Sequence, residues 1–179
     1  MFWTVGGGNW GFRHWRGGWL DEDGDQFLSF APADEQLGFT PESTAETCWI
    51  LNWNQYAGTP ATNLDLFIHR VGTVPAIASS ETNQNATGKP VEQACFTPQA
   101  GQTYYARVER QSGPTAGLDM TLISANSTLD AAHRVVASSM VDPAVAHGAF
   151  AVGAIDEAQW NVLPTPPIEA LSSWGPTTD

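Results

Sequence analysis

Hydrophobic and polar residues alternate through the middle of the chain, and that period of two predicts strands. In "TCWILNWNQY" (47–56), Trp49, Leu51 and Trp53 fall on one side of the alternation. "NLDLFIHRV" (63–71) puts Leu64, Leu66 and Ile68 on one face and Asp65, Phe67 and His69 on the other. "DQFLSF" (25–30), "VEQACF" (91–96), "TYYARVER" (103–110) and "LDMTLIS" (118–124) continue the pattern. The connecting stretches "AGTPAT", "SSETNQNATGKP", "TPQAGQ" and "QSGPTAG" are rich in Gly, Pro, Ser, Thr and Asn, the residues of turns. Short strands at this spacing, with no helical runs between them, predict a mainly β fold: an antiparallel, jelly-roll-like β-sandwich. Leu51, Trp53, Leu64, Leu66, Ile68, Tyr104, Val108, Met120 and Leu122 are expected to share one core, with Trp53 its largest member. Phe67, on the opposite face of its strand, is expected to meet solvent.

The last third has a different pattern. "VDPAVAHG" (141–148) predicts one short helical turn, with Asp142 as N-cap, Pro143 at the first helical position and Gly148 as the stop. "AFAVGAI" (149–155) is continuously apolar, as expected of a strand covered on both faces. "PTPP" (164–167) marks a loop. The opening "MFWTV" enters as if in mid-strand and the closing "SSWGPTTD" lacks a finishing element, so both ends read as cut from an α/β protein with the sandwich between them.

Composition narrows the function. The 179 residues are 42% hydrophobic, enough for a globular core, and carry a net charge of −12 with Lys89 as the sole lysine. Such a surface repels phosphate backbones and argues against nucleic acid as a partner. No apolar run approaches the roughly 18 residues of a membrane span. "MFWTVGGG" has neither the basic region nor the cleavage site of a secretory signal. The two cysteines, Cys48 and Cys95, fall in strand-like runs, where they form either one structural disulfide or two buried thiols.

Several short motifs carry candidate chemistry. In "TVGGGNWGF" (4–12), Gly6, Gly8 and Gly11 have G-x-G-x-x-G spacing, but a dinucleotide site needs a helix directly afterwards. The following "RHWRGGWLDEDGDQF" has no helical period, which excludes that reading and leaves the role of Asn9 open. Asp21, Asp23 and Asp25 alternate like the start of a calcium loop. Gly24 is fourth rather than sixth in that loop and Pro32 takes the place of the twelfth-position glutamate, so a solvated acidic turn stands beside possible calcium binding. Trp10, Trp15 and Trp19 are read either as a sugar-binding platform or as packing at a domain junction. "NAT" (85–87) and "NST" (126–128) match glycosylation sequons.

Three segments, taken in order, resemble the subtilisin-like serine proteases. "TVGGGNWG" resembles the strand and turn that carry the oxyanion-hole asparagine. "VDPAVAHGAFAVGAID" resembles a core strand, and "SSWGPTTD" the Ser-Ser-x-Gly-Pro segment preceding the nucleophile region. The residues between, through "LNW", "NLDLF", "KPVEQACF" and "AGQTYYARVER", resemble the β-sandwich, similar to pre-peptidase C-terminal domains, that some secreted members carry as an insertion. "GNWGFRHWRG" followed by "DEDGD" resembles the entry to such inserts. The resemblance implies core strand and turn at 1–12, an inserted sandwich at 13–133 and core strands and loop at 134–179. It implies an extracellular serine endopeptidase acting on protein or peptide substrate without a required cofactor. By the same resemblance Asn9 is expected to take the oxyanion role, and Gly7 and Gly8 to line the pocket for the residue before the scissile bond. Gly6 and Gly7 stand where the family usually has small side chains. No "HGT" or "GTSMAAP" type motif is present, so His14, His69, His133 and His147 do not inherit the base role and the chain is expected to be silent alone. The alternative reading is a non-catalytic extracellular β-sandwich module that binds carbohydrate or protein.

Overall fold

The computed structural model describes residues 3–141, 144–146, 149–160, 162 and 167–175. Its strands are β1 (Thr4–Gly6), β2 (His14–Gly17), β3 (Leu37–Pro41), β4 (Thr47–Trp53), β5 (Asn63–Arg70), β6 (Ala78–Ser80), β7 (Val91–Phe96), β8 (Tyr104–Ser112), β9 (Met120–Ser124), β10 (Ser127–Leu129) and β11 (Phe150–Val152). One antiparallel sheet has the order β10-β3-β8-β5-β6 and a second the order β2-β9-β4-β7, while β1 and β11 form a separate parallel pair. The chain is thus mainly β, with two antiparallel sheets packed as a sandwich.

The core follows the period of two. All nine positions expected in it are buried, and Trp49, Phe39, Leu28, Leu37, Ala106 and Leu129 join them. Aromatic contacts cross the space between the sheets: Phe39 of β3 lies 4.5 Å from Trp49 of β4, and Tyr104 of β8 lies 5.0 Å from Phe96 of β7. Such pairs combine large buried area with favourable edge and face electrostatics. At one edge a buried carboxylate joins the sheets. Glu92 on β7 accepts hydrogen bonds from Ser80 Oγ at the end of β6, from the Thr82 N–H (3.0 Å) and hydroxyl, and from the Gln84 amide. A buried charge is tolerable there because several donors replace its hydration.

Several expectations change. "DQFLSF" is not a strand: it contributes one bridge, Phe27 to Glu109, and drops Leu28 into the core. Gln26 sits at φ 78°, and the carboxylates of Asp21 and Asp25 take the N–H groups of Gln26 and Phe27 away from any ladder. Strands β2, β3, β6 and β10 arise from stretches without clear alternation, because pairing with neighbours organises short segments that pattern alone does not mark. The apolar run of β11 is not covered on both faces: Phe150 and Val152 are 59% and 50% exposed. The outer face of β5 is less wet than expected: Phe67 is half-buried and Asp65 buried. A four-residue helix, α1 (Gln84–Thr87), interrupts the long polar connection, with Asn83 accepting from the Asn85 N–H and Gly88 closing it in the left-handed region. Asp142, Pro143 and Gly148 lie outside the described residues, as does most of "PTPP".

Candidate functional site

The turn after β1 sits where three distant segments meet. β1 pairs with β11 in parallel, Val5 opposite Ala151 and Gly6 opposite Val152. The Gly7 N–H donates to the Val152 carbonyl (2.8 Å), extending that ladder by one residue. The chain then turns at Gly8, whose φ of +87° favours glycine; a Cβ there would also come within 2.7 Å of the Trp10 indole. Gly11 closes the turn against the third segment. Its N–H donates to the Leu171 carbonyl (3.1 Å), and a Cβ would meet the Ala170 and Ser172 carbonyl oxygens at 2.8 and 2.9 Å.

Serines rather than large apolar side chains hold these pieces together. Ser173 donates its N–H to the Gly8 carbonyl (2.9 Å), and its Oγ accepts the Trp10 N–H (3.0 Å). Ser172 Oγ accepts the Ala154 N–H (3.2 Å), joining this segment to the residues after β11. Ser139 donates its N–H to the Trp174 carbonyl and accepts the Trp174 N–H at its Oγ, both at 3.0 Å. All three serines are buried, so each hydroxyl satisfies a backbone donor that water does not reach. Asn9 is exposed at the apex, and among the described residues its side chain has no hydrogen-bond partner. Gly7 is buried and Gly8 exposed beside it. An exposed amide on a constrained turn can donate to an anion.

The histidines lie elsewhere, apart from His147, which is outside the described residues. His14 is buried in β2 with Nδ1 at 2.7 Å from the Val135 carbonyl, and burial pushes its pKa down. His69 stacks on Tyr105 (4.9 Å), and burial, followed by the charge of Arg107, lowers its pKa. His133 Nε2 meets Asp34 Oδ2 at 3.0 Å, and among the described residues its buried Nδ1 has no hydrogen-bond partner.

The acidic turn brings Asp21, Asp23 and Asp25 together, with one carboxylate oxygen from each lying within 4.8 Å of the others. Those carboxylates already accept the N–H groups of Gly24, Gln26, Asp25 and Phe27. Arg107 also lies 3.9 Å from Asp25. Calcium takes six to eight oxygens, and this turn presents three carboxylates largely engaged in organising its own backbone.

Cys48 and Cys95 face each other across β4 and β7 and are joined by a disulfide on the outer side of the sheet, which removes the buried-thiol alternative. The three tryptophans do not form one surface. Trp15 is in the sandwich core, Trp19 packs against it, and Trp10 alone reaches the turn of Asn9. Trp15, Trp19, Phe30 and His133 help to line an open pocket of about 430 Å³. Sequence reading missed the serines as site residues: a Ser-Ser pair carries no signal of which distant peptide groups it will meet. No protein-family model matches the chain, and searches of curated proteins and of solved structures return no match either.

Proposed function

We propose that this chain is the oxyanion-bearing part of a secreted subtilisin-like serine endopeptidase, with the β-sandwich as an insertion. The observation that carries the reading is the convergence on Asn9. Residues 4–11, 150–154 and 169–174, which overlap the three resembling segments at 4–11, 141–156 and 172–179, are hydrogen-bonded around one exposed amide although up to about 160 residues separate them. Acyl transfer builds negative charge on the carbonyl oxygen of the scissile bond, and a fixed amide N–H lowers the barrier by roughly 3–4 kcal/mol. Asn9 supplies that donor. Gly7 and Gly8 line the approach of the residue before the scissile bond, where a missing side chain lets substrate come close to the backbone. The disulfide supports an exported, oxidising location.

The nucleophile, base and orienting acid come from sequence flanking this chain, and coding sequence upstream and downstream should contain their motifs. The 179-residue chain alone should not hydrolyse casein or chromogenic peptides. In the full-length protein, Asn9→Ala should lower kcat by roughly a hundredfold or more with KM little changed, because the lost bond forms mainly in the transition state. Wild-type kcat in that variant, or a full-length protein with no peptidase activity, removes the reading.

A second reading, a non-catalytic extracellular module for carbohydrate or protein, is favoured by the aromatic-lined pocket at Trp15, Trp19 and Phe30. Titration of the isolated chain with oligosaccharides or peptides, followed by tryptophan fluorescence, tests it. A response abolished by Trp19→Ala supports this reading, and no response in any titration counts against it.

A further inference from the structure

The direction in which the Asn9 Cα–Cβ bond leaves the turn is set by the two peptide planes that flank its Cα. On one side lies the Gly8 carbonyl, which accepts the Ser173 N–H at 2.9 Å. On the other lies the Trp10 N–H, which donates to Ser173 Oγ at 3.0 Å. Both peptide planes that flank Asn9 are therefore fastened to one residue, and neither bond uses the Asn9 amide itself. Ser173 is 4% exposed, so its two bonds are shielded from competing water. It is held in turn by its neighbours. The Ser172 N–H donates to the Glu169 carbonyl (2.9 Å), and the Trp174 N–H to Ser139 Oγ (3.0 Å). Gly8 allows the turn this shape: at φ +87° a side chain is strained, and a Cβ would meet the Trp10 indole at 2.7 Å.

We infer that Ser173 is a positioning residue for Asn9: its hydroxyl and its N–H clamp the two peptide groups around Asn9 and hold the side-chain amide ready for the developing oxyanion. The inference rests on the oxyanion reading of Asn9. A donor that is already oriented needs no reorganisation when charge appears, and small misplacements of such a group are costly to rate. Without Oγ the Trp10 N–H loses its acceptor, and the plane between Asn9 and Trp10 is free to rotate.

A double-mutant cycle in the full-length enzyme separates this role from mere support of the fold. Ser173→Ala should lower kcat on a chromogenic peptide roughly tenfold or more with KM nearly constant. In an Asn9→Ala background the same change should have no further effect, because the group it positions is gone. Wild-type kcat in folded Ser173→Ala, or a loss that multiplies with that of Asn9→Ala, overturns the clamp while leaving the oxyanion role of Asn9 intact. Wild-type kcat in Asn9→Ala alone removes the oxyanion reading and this proposal with it. Should Ser173→Ala not fold, amide exchange in the wild-type chain decides: the Trp10 N–H should be protected relative to the Asn9 N–H, and equal exchange of the two overturns the clamp.

Discussion

The sandwich and the region around β1 and β11 are built on different physics. In the sandwich, Trp49, Trp53, Phe39 and a set of buried leucines fill the space between two sheets, and the hydrophobic effect supplies the main driving force. Around β1 and β11 the buried groups among the described residues are small: Ser139, Ser172 and Ser173 bond to backbone groups, and glycines allow chain segments into contact. The large apolar residues of that region point outward instead, with Trp3, Phe150, Val152, Trp160 and Trp174 all well exposed. One region has its stability built into side-chain volume. The other has its geometry built into directional bonds.

That contrast can be broken by stability measurements. The largest effect should come from the core: Trp53→Ala should cost about 3–5 kcal/mol in a urea titration, and Phe67→Ala, half-buried on the outer face, clearly less. The reverse ranking would place the wrong face of β5 inward. Reduction of the Cys48–Cys95 disulfide, which closes a separation of 47 residues, should cost about 2–4 kcal/mol, again within the sandwich. An unchanged urea midpoint with dithiothreitol would show that the core alone sets the stability.

Asp65 adds a pH dependence to the same region. Burial, and then the neighbouring charges of Glu92, Glu81 and Glu109, raise its pKa from 3.8 to about 6, and its Oδ1 has no hydrogen-bond partner. The folded state therefore holds this proton more tightly than the unfolded chain. Its protonated form favours folding at low pH, and that contribution is lost as pH rises from about 4 through about 6. Asp65→Asn should raise Tm at pH 8, with the gain shrinking through pH 6 and gone near pH 4. A gain independent of pH would mean that charge is not the cause. The smallest effect is expected in the other region: Trp3→Ala, at a residue 56% exposed, should change stability by no more than about 0.5 kcal/mol. A loss comparable to that of Trp53→Ala would erase the distinction between the two regions.

The amino-acid sequence by itself determined the sandwich core. Alternation in 47–53, 63–68 and 104–108 selects the inward face without reference to any partner, because a strand has only two faces and large apolar side chains must leave water. It also marked Asn9 and its glycines as a turn with no helix to follow. Tertiary structure decided the rest. Whether Cys48 faces Cys95 depends on the register of β4 with β7, and "DQFLSF" yields to the carboxylates of its own acidic turn. The surroundings of Asn9 were hidden for the same reason. A hydrogen bond from Trp10 to Ser173 joins residues 163 positions apart, and hydroxyl groups reveal their partners only once the chain has brought them within about 3 Å.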